Sequence, residues 1–266
     1  MVKGQYDPRM GLPLVPVSDG MGEVVAVGDG VTRVAVGDRV AATFAPRWLD
    51  GPPNRDVARH TRGGPLPGLL ATHRTLDAEG LVKVPAHLSD EAAATLPCAA
   101  LTAWSALAVE GRVGPGDVVL VQGTGGVSLF ALQFAQLLGA RVVVTSSSDE
   151  KLERASALGA WKTINYRSDE AWGKTAAGFT EGGVDHVIEV GGAKTLDQSL
   201  RAVRIGGTIS LIGILSGVQT PIALTKILMN QTRVQGILVG HRAGFESMNL
   251  AIAAHQLDPF VDAVVD

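Results

Sequence analysis

The sequence predicts an α/β protein built on a doubly wound parallel sheet, and three observations carry that prediction. An apolar run rich in valine at residues 118–121 enters the glycine turn Gly123-Thr124-Gly125-Gly126. Apolar residues then recur at helical spacing over residues 127–138, and a second β-branched run follows at residues 142–145. From about Ser89 onward, runs of strand type alternate with runs of helix type, which is typical of a parallel sheet.

The pattern predicts six parallel strands, at residues 118–121, 142–145, 163–166, 184–190, 208–214 and 234–239. Helices are expected to begin near Asp149, Ser168, Ala193, Thr220 and Ala243, and a further helix is expected over residues 96–109. Six strands are the complement of a Rossmann dinucleotide-binding domain, which we place at residues 91–258. Residues 1–90 instead carry short β-like runs at 22–27, 37–44 and 81–84, separated by Gly, Pro and Asp turns.

Composition and charge exclude several classes of function. A net charge of -3 over 266 residues leaves no strongly basic surface for nucleic acid or for an anionic membrane. We expect neither a signal peptide nor a membrane span, and the single cysteine, Cys98, excludes disulfides within the chain. The expectation is a cytoplasmic protein that acts on a small molecule, with no nucleic-acid or membrane partner.

Three segments together resemble the medium-chain dehydrogenase/reductase superfamily. They are VSDGMGEVVAVGDGVTRVAVGDRVAATF at residues 17–44, PCAALTAWSAL at residues 97–107, and the glycine turn. The resemblance implies a GroES-like catalytic domain at residues 1–90, the Rossmann domain at 91–258, and the start of a return to the catalytic domain at 259–266. Family members carry further strands beyond both ends of this chain, so we expect the GroES-like β domain to be incomplete, either as a fragment or as a natural truncation.

The resemblance is strongest to the zinc-free branch that contains quinone oxidoreductase-like and enoyl-reductase-like proteins. Zinc alcohol dehydrogenases of the family carry Gly-His-Glu where this chain has Val17-Ser18-Asp19. Cys98 falls at another position of their catalytic zinc ligands, but one thiolate cannot supply the three protein ligands that catalytic zinc needs. We therefore expect no metal.

The glycine turn predicts where the diphosphate of a dinucleotide binds. Gly123 permits the tight turn, Gly125 lets the backbone approach the diphosphate, and Gly126 and Val127 begin the helix whose N–H groups point at it. Thr124 lies within the same turn. Ser128 stands where the third glycine of the motif would be, and we interpret it as a tolerated small residue.

The end of the second strand predicts NADP rather than NAD, although hydroxyls tolerate both. Ser146 and Ser147 stand where an acidic residue would repel a 2′-phosphate, and the ammonium of Lys151 follows. Tyr166 matches a family position near that phosphate. The alternative is that this segment only caps the next helix.

The resemblance also supplies residues for the nicotinamide side. Family positions whose backbones hold the nicotinamide carboxamide match Gly213, Ile214, Leu238 and Gly240. Arg242 matches a basic family position near the diphosphate. Thr102 matches a family position near the nicotinamide ring. A solvated arginine and a helical threonine bonded to its own backbone remain the alternatives for the last two. Asp19 is a candidate proton donor on position only, and no side chain is a convincing general acid.

Without zinc, hydride transfer to an electron-poor acceptor fits better than oxidation of an unactivated alcohol. We therefore predict an NADP-dependent oxidoreductase that reduces a quinone or an α,β-unsaturated carbonyl. The alternatives are a non-catalytic NADP-binding homologue and an alcohol dehydrogenase-type oxidoreductase. The β-rich segment at residues 233–239 falls at the sheet edge, where members of the resembled family pair across a two-fold axis, so the resemblance implies a homodimer.

Overall fold

The structure, a computed structural model, describes residues 11–265 and divides the chain into two compact units. The first unit comprises Met1–Leu101 with Val239–Asp266, and the second comprises Thr102–Leu238. Across the described residues, no helix is both long enough and apolar enough to cross a membrane.

The described residues form nine strands and nine α-helices. The strands are β1 (Met21–Glu23), β2 (Arg39–Ala42), β3 (Leu81–Lys83), β4 (Val118–Gln122), β5 (Arg141–Ser146), β6 (Lys162–Asn165), β7 (Val184–Glu189), β8 (Val203–Leu211) and β9 (Arg233–Gly236). The helices are α1 (Arg55–Arg59), α2 (Asp90–Ala94), α3 (Leu101–Trp104), α4 (Gly126–Leu137), α5 (Asp149–Ala157), α6 (Trp172–Ala177), α7 (Leu196–Ala202), α8 (Leu224–Met229) and α9 (Arg242–His255).

The second unit is a six-stranded parallel sheet, which confirms the predicted fold class. Its strand order is β6-β5-β4-β7-β8-β9, so the order reverses between β4 and β7. Every residue of β4 is buried, because parallel strands between two helical layers have no solvent face. In a doubly wound sheet, the crevice for a ligand opens at the carboxyl ends of the strands where the order reverses.

One predicted strand begins earlier than the sequence pattern indicates. β8 starts at Val203 rather than near residue 208, and it runs through Gly206 and Gly207. Two adjacent glycines indicate a turn in sequence, but here they lie where the pairing of β7 with β8 shifts register, between Val184 and His186. The irregularity takes up the extra residues, so the strand continues instead of ending.

The predicted helix over residues 96–109 is also longer and less regular than expected. It begins with α2, whose N-cap is Ser89, and turns of π type at Leu96–Ala100 and Ser105–Val109 flank α3. Pro97 lies in the first of these turns, where its missing N–H removes a backbone donor from the regular helical pattern.

The first unit contains a three-stranded antiparallel sheet in the order β1-β2-β3. Helix α9 belongs to this unit, whereas the predicted domain boundaries assigned it to residues 91–258. The reason is its contacts: Asn249 Nδ2 donates to the carbonyl of Lys83 at 2.9 Å, and Arg33 forms an ion pair with Glu246. The compact units divide after Leu101 and Leu238, and the predicted domain boundaries at residues 90 and 258 stay predictions.

Candidate cofactor site

The glycine turn after β4 lies open at the carboxyl edge of the second unit's sheet. Gly123 has φ +72°, in the left-handed region that favours glycine, and its N–H donates to Thr145 O at 2.7 Å. Apart from the glycine itself and its two chain neighbours, no residue has an atom within 4 Å of the position that a Cβ would occupy at Gly123 or at Gly125. This is the space that the backbone approach to a diphosphate requires.

Helix α4 presents its N-terminus to the same space. Its N-cap is Gly125, which supplies no side-chain cap, whereas Ser148 Oγ caps α5 by accepting from the Lys151 N–H. The first N–H groups of a helix have no partner within the helix, and the helix dipole makes this end positive. A helix of 12 residues that follows an open glycine turn therefore fits the diphosphate of a dinucleotide.

Ser128 has a structural use that sequence reasoning missed. It is buried, and its hydroxyl donates to the backbone carbonyl of Gln122 at 2.7 Å. The serine therefore ties the first turn of α4 to the last residue of β4, in place of the close packing that a glycine would give. The predicted cofactor residues Thr124, Gly126 and Val127 lie in the segment between these two anchored ends.

The structure brings two of the predicted ribose-side residues together. Ser146 ends β5 and is buried, and its carbonyl accepts from the N–H of Tyr166, which follows β6, at 3.0 Å. Ser147 is half-buried, and Lys151 is exposed in the first turn of α5. No carboxylate ends β5, and the nearest acid along the chain, Asp149, accepts from the side chain of Asn165 at 2.6 Å.

A buried carboxylate at the point where the strand order reverses was not predicted. Glu189 ends β7, has no exposed surface, and is surrounded by hydrogen-bond donors from the strand β4, from helix α7 and from the loop that follows β7. Gln122 at the end of β4 donates to it at 2.7 Å. A single acidic residue in a buried strand was the only sequence signal, because its partners are far away along the chain.

The loops after β7 and β8 pack closely on each other. A Cβ at Gly213 would overlap the carbonyl of Val190, so only glycine fits there. Ser216 donates to the carbonyl of Gly191 from both its N–H, at 2.7 Å, and its hydroxyl, at 2.8 Å. Ile214, beside Gly213, is exposed. The packing of Gly213 and the hydrogen bonds of Ser216 define the position of the loop after β8. The nicotinamide contacts of Gly213 and Ile214 stay predictions.

The other predicted nicotinamide-side residues divide between the units. Leu238 is half-exposed at the end of the second unit, and Thr102 is buried at its start. Gly240 and Arg242 belong to the first unit. The guanidinium of Arg242 forms an ion pair with the Glu79 carboxylate and donates to its carbonyl at 3.0 Å, so Arg242 is not the solvated arginine of the alternative interpretation. Its predicted diphosphate contact stays a prediction.

The first unit holds the segment where zinc enzymes of the family have a ligand. Ser18 donates to the Asp19 carboxylate at 2.9 Å, and burial raises the pKa of Asp19 above its ordinary value. Val17, directly before them, has φ 72°, which is strained for a β-branched residue. Cys98 is half-buried, and residues 11–265 contain no cluster of three His, Cys, Asp or Glu side chains placed to hold a metal ion.

Comparisons with known proteins support a GroES-like domain followed by a dinucleotide-binding domain. The family model of the alcohol dehydrogenase GroES-like domain matches residues 1–86, and that of the zinc-binding dehydrogenases matches residues 126–254. A zinc-type alcohol dehydrogenase-like protein, C1773.06c of Schizosaccharomyces pombe, is 46% identical over 272 residues, which are 99% of this chain and 78% of that protein.

Two solved structures extend the comparison to known cofactor use. An NAD-dependent alcohol dehydrogenase superposes with a TM-score of 0.85 at 33% identity, covering 97% of this chain and 77% of that one. A crotonyl-CoA carboxylase/reductase in complex with NADP gives a TM-score of 0.80 at 26% identity, covering 94% and 70%. With a Rossmann sheet, a GroES-like domain match and these relatives, the chain belongs to the medium-chain dehydrogenase/reductase superfamily and is an alcohol dehydrogenase-like oxidoreductase of that family.

Proposed function

We propose that this oxidoreductase is NADP-dependent and zinc-independent, and that it transfers hydride to a quinone or an α,β-unsaturated carbonyl. The observation that carries the proposal is the open turn at Gly123–Gly125 before an N-terminus of α4 that no side chain caps. The bound nicotinamide supplies the hydride, and the protein supplies its position and surroundings. Gly126 and Val127 would bind the diphosphate through their N–H groups.

The preference for NADP rests on the ribose end of the site. Ser146 and Tyr166 lie on adjacent strand ends, and the Lys151 ammonium is exposed one turn into α5. A 2′-phosphate gains charge-assisted hydrogen bonds from such groups and meets no carboxylate at the end of β5. Both cofactors occur among the relatives, so cofactor choice depends on these residues and not on family membership.

Zinc independence rests on the side chains that occupy the ligand positions. Ser18 replaces the histidine, and its hydroxyl is already engaged with Asp19. Cys98 alone cannot complete a catalytic zinc site, which needs three protein ligands. The residues therefore do not fit a zinc ion, and polarisation of the substrate must come from hydrogen bonds. A substrate that is already electron-poor needs the least polarisation.

Asp19 is our candidate for the proton that accompanies the hydride. Reduction of a quinone or an enone takes up one hydride and one proton, and the proton must come from an acid or from water. The half-buried carboxyl of Asp19 has a raised pKa, so its protonated form persists to higher pH than that of an exposed aspartate. The Asp19→Asn variant should lose turnover while keeping its NADPH affinity.

The direct test is oxidation of NADPH by the whole chain with 9,10-phenanthrenequinone or an enone as acceptor, with and without a chelator. The proposal predicts turnover that the chelator leaves unchanged. Enhanced NADPH fluorescence without any turnover would instead identify the non-catalytic NADP-binding homologue. Alcohol oxidation that is lost on chelation would identify the alcohol dehydrogenase-type alternative and would contradict zinc independence.

We also propose that the protein is a homodimer formed at the β9 edge. β9 pairs with β8 and, within the described sheet, with no strand on its other side. Leu224, Leu228 and Met229 of the nearby helix α8 are each 74% exposed, which is unusual for large apolar side chains. A second copy placed by a two-fold axis would cover this surface and pair the two strand edges.

A further inference from the structure

We propose that Glu189 and Gln122 are positioning residues that set the cofactor-binding loops without touching the cofactor. The inference rests on the proposed function, because it assumes that a nicotinamide dinucleotide binds at the carboxyl edge of the second unit's sheet. Strands β4 and β7 lie side by side where the strand order reverses, and these two residues are the last of each. We call the pair, with its hydrogen bonds, the Gln122–Glu189 clip.

Both oxygens of Glu189 are fully occupied by donors. Oε1 accepts from Thr195 Oγ1 at 2.6 Å, from Gly191 N at 2.8 Å and from Gly192 N at 2.9 Å. Oε2 accepts from Gln122 Nε2 at 2.7 Å and from Ser199 Oγ at 2.5 Å. A group at this position must accept five hydrogen bonds, and a carboxylate can accept about four or more whereas an amide oxygen accepts about two.

Gln122 fills the complementary role, since it must donate and accept at once. Its Nε2 donates to Glu189 and to Ser199 Oγ, the latter at 2.7 Å, and its Oε1 accepts from Val190 N and Gly191 N, each at 3.3 Å. The backbone carbonyl of the same residue holds the first turn of α4 through Ser128. The glycine turn and the loop after β7 are therefore fixed to each other.

The clip reaches a third loop as well. Gly191, which Glu189 holds, accepts both hydrogen bonds of Ser216 through its carbonyl, and Ser216 lies in the loop after β8. Lys194 N donates back to Ser216 Oγ at 2.8 Å. Three loops at the binding edge, after β4, β7 and β8, thus take their positions from one buried carboxylate. Displacing that carboxylate should shift the groups that contact the diphosphate and the nicotinamide together.

The test exchanges the two side chains. Glu189→Gln places an amide NH₂ against that of Gln122, and Gln122→Glu buries two facing carboxylates, so each single variant should raise the NADPH dissociation constant about tenfold or more. The double variant removes both the amide–amide and the carboxylate–carboxylate conflict, so its dissociation constant should fall below that of either single variant; it should stay above the wild-type value, because the amide oxygen at position 189 satisfies fewer of the donors. NADPH fluorescence titration measures both effects.

Ser210→Ala is the matched control. Ser210 is fully buried in β8 of the same sheet and bonds His186 at 2.9 Å, a residue that takes no part in the clip. This variant should lower the unfolding temperature and leave the NADPH dissociation constant unchanged, whereas the single clip variants should change both. Thr195→Val removes one donor to Glu189, and it should raise the dissociation constant about threefold or more even if a clip variant fails to fold.

The outcomes separate the two proposals. Wild-type protein that binds neither NADPH nor NADH would overturn the proposed function, and the clip with it. Wild-type protein that binds NADPH, with Glu189→Gln and Thr195→Val binding equally well, would overturn the clip alone. A folded double variant that binds no better than the single variants would also overturn it. Recovery of affinity in the double variant ties the loss to the pairing of the two groups. Ser210→Ala, by lowering the unfolding temperature without changing the dissociation constant, excludes a general loss of stability as the cause.

Discussion

Acidification should destabilise the second unit through one buried side chain, that of His186. His186 lies in β7, it is 2% exposed, and its Nε2 lies 2.9 Å from Ser210 Oγ. A Cβ at Gly111 would stand 2.6 Å from its Cε1, so the ring is enclosed on that side as well. Burial, together with the charge of Arg233, lowers the pKa of His186 to about 4, and the charge of Asp185 opposes the shift.

The size of the effect follows from the difference between the folded and unfolded pKa values. The pKa falls from an ordinary value of 6.5 to about 4, which corresponds to about 3 kcal/mol of stability at about 1.4 kcal/mol for each pKa unit. Folding favours the neutral ring, so this stability is present above pH 6.5 and is lost as the pH falls from 6.5 toward 4. Because domains are stable by about 5–15 kcal/mol, the loss is a large fraction of the whole.

The assay is urea unfolding, followed by a signal from the second unit, at pH 7.5, 6.0 and 5.0. His186→Gln keeps a hydrogen-bonding group but cannot be protonated, so its free energy of unfolding should fall less between pH 7.5 and 5.0 than that of the wild type, by about 2 kcal/mol. His255→Gln, at an exposed position in α9, is the control and should follow the wild type. Parallel loss of stability in wild type and His186→Gln would refute the reasoning.

Three further predictions follow from particular contacts. Ser128→Ala removes a buried donor to the last carbonyl of β4, and it should lower the free energy of unfolding by about 1–3 kcal/mol in urea titrations; an unchanged value would contradict its anchoring role. Gly213→Ala should weaken NADPH binding at least tenfold in a titration, because the new Cβ overlaps the Val190 carbonyl; unchanged affinity would show that the loop adapts freely. Leu228→Asp should convert a dimer to a monomer in light scattering, whereas the matched variant Leu250→Asp, at an equally exposed leucine of α9, should not; a wild-type monomer would contradict the dimer proposal.

Sequence reasoning predicted the strands of the second unit because their signal is local. A strand that is buried on both faces, such as β4, appears in the sequence as a continuous valine-rich run, so the run alone predicts the strand. The glycine turn and α4 come directly after it in the chain and are recognised with it. The start of β8 was missed because Gly206 and Gly207 favour a turn locally. The pairing of β8 with β7 decides otherwise, and that pairing is not local.

The contacts that sequence reasoning missed join residues that are far apart along the chain. Gln122 and Glu189 are separated by 67 residues, and Arg242 and Glu79 by 163. In the sequence, a buried acid surrounded by donors and an arginine paired with carboxylates cannot be distinguished from solvated surface charges. The contacts of helix α9 with Lys83 and Arg33 were missed for the same reason, since an amphipathic pattern does not say against which sheet a helix packs.

The claim that the second unit binds NADP is tested most directly by titrating NADPH and NADH against wild type, Lys151→Ala and the control Lys174→Ala. Lys151 and Lys174 are both exposed, on α5 and α6. Wild type should bind NADPH more tightly than NADH, and loss of one ammonium near the 2′-phosphate should raise the NADPH dissociation constant about fivefold to tenfold while leaving that of NADH unchanged. Equal effects of Lys151→Ala on the two cofactors, or no binding of either by the wild type, would contradict the account.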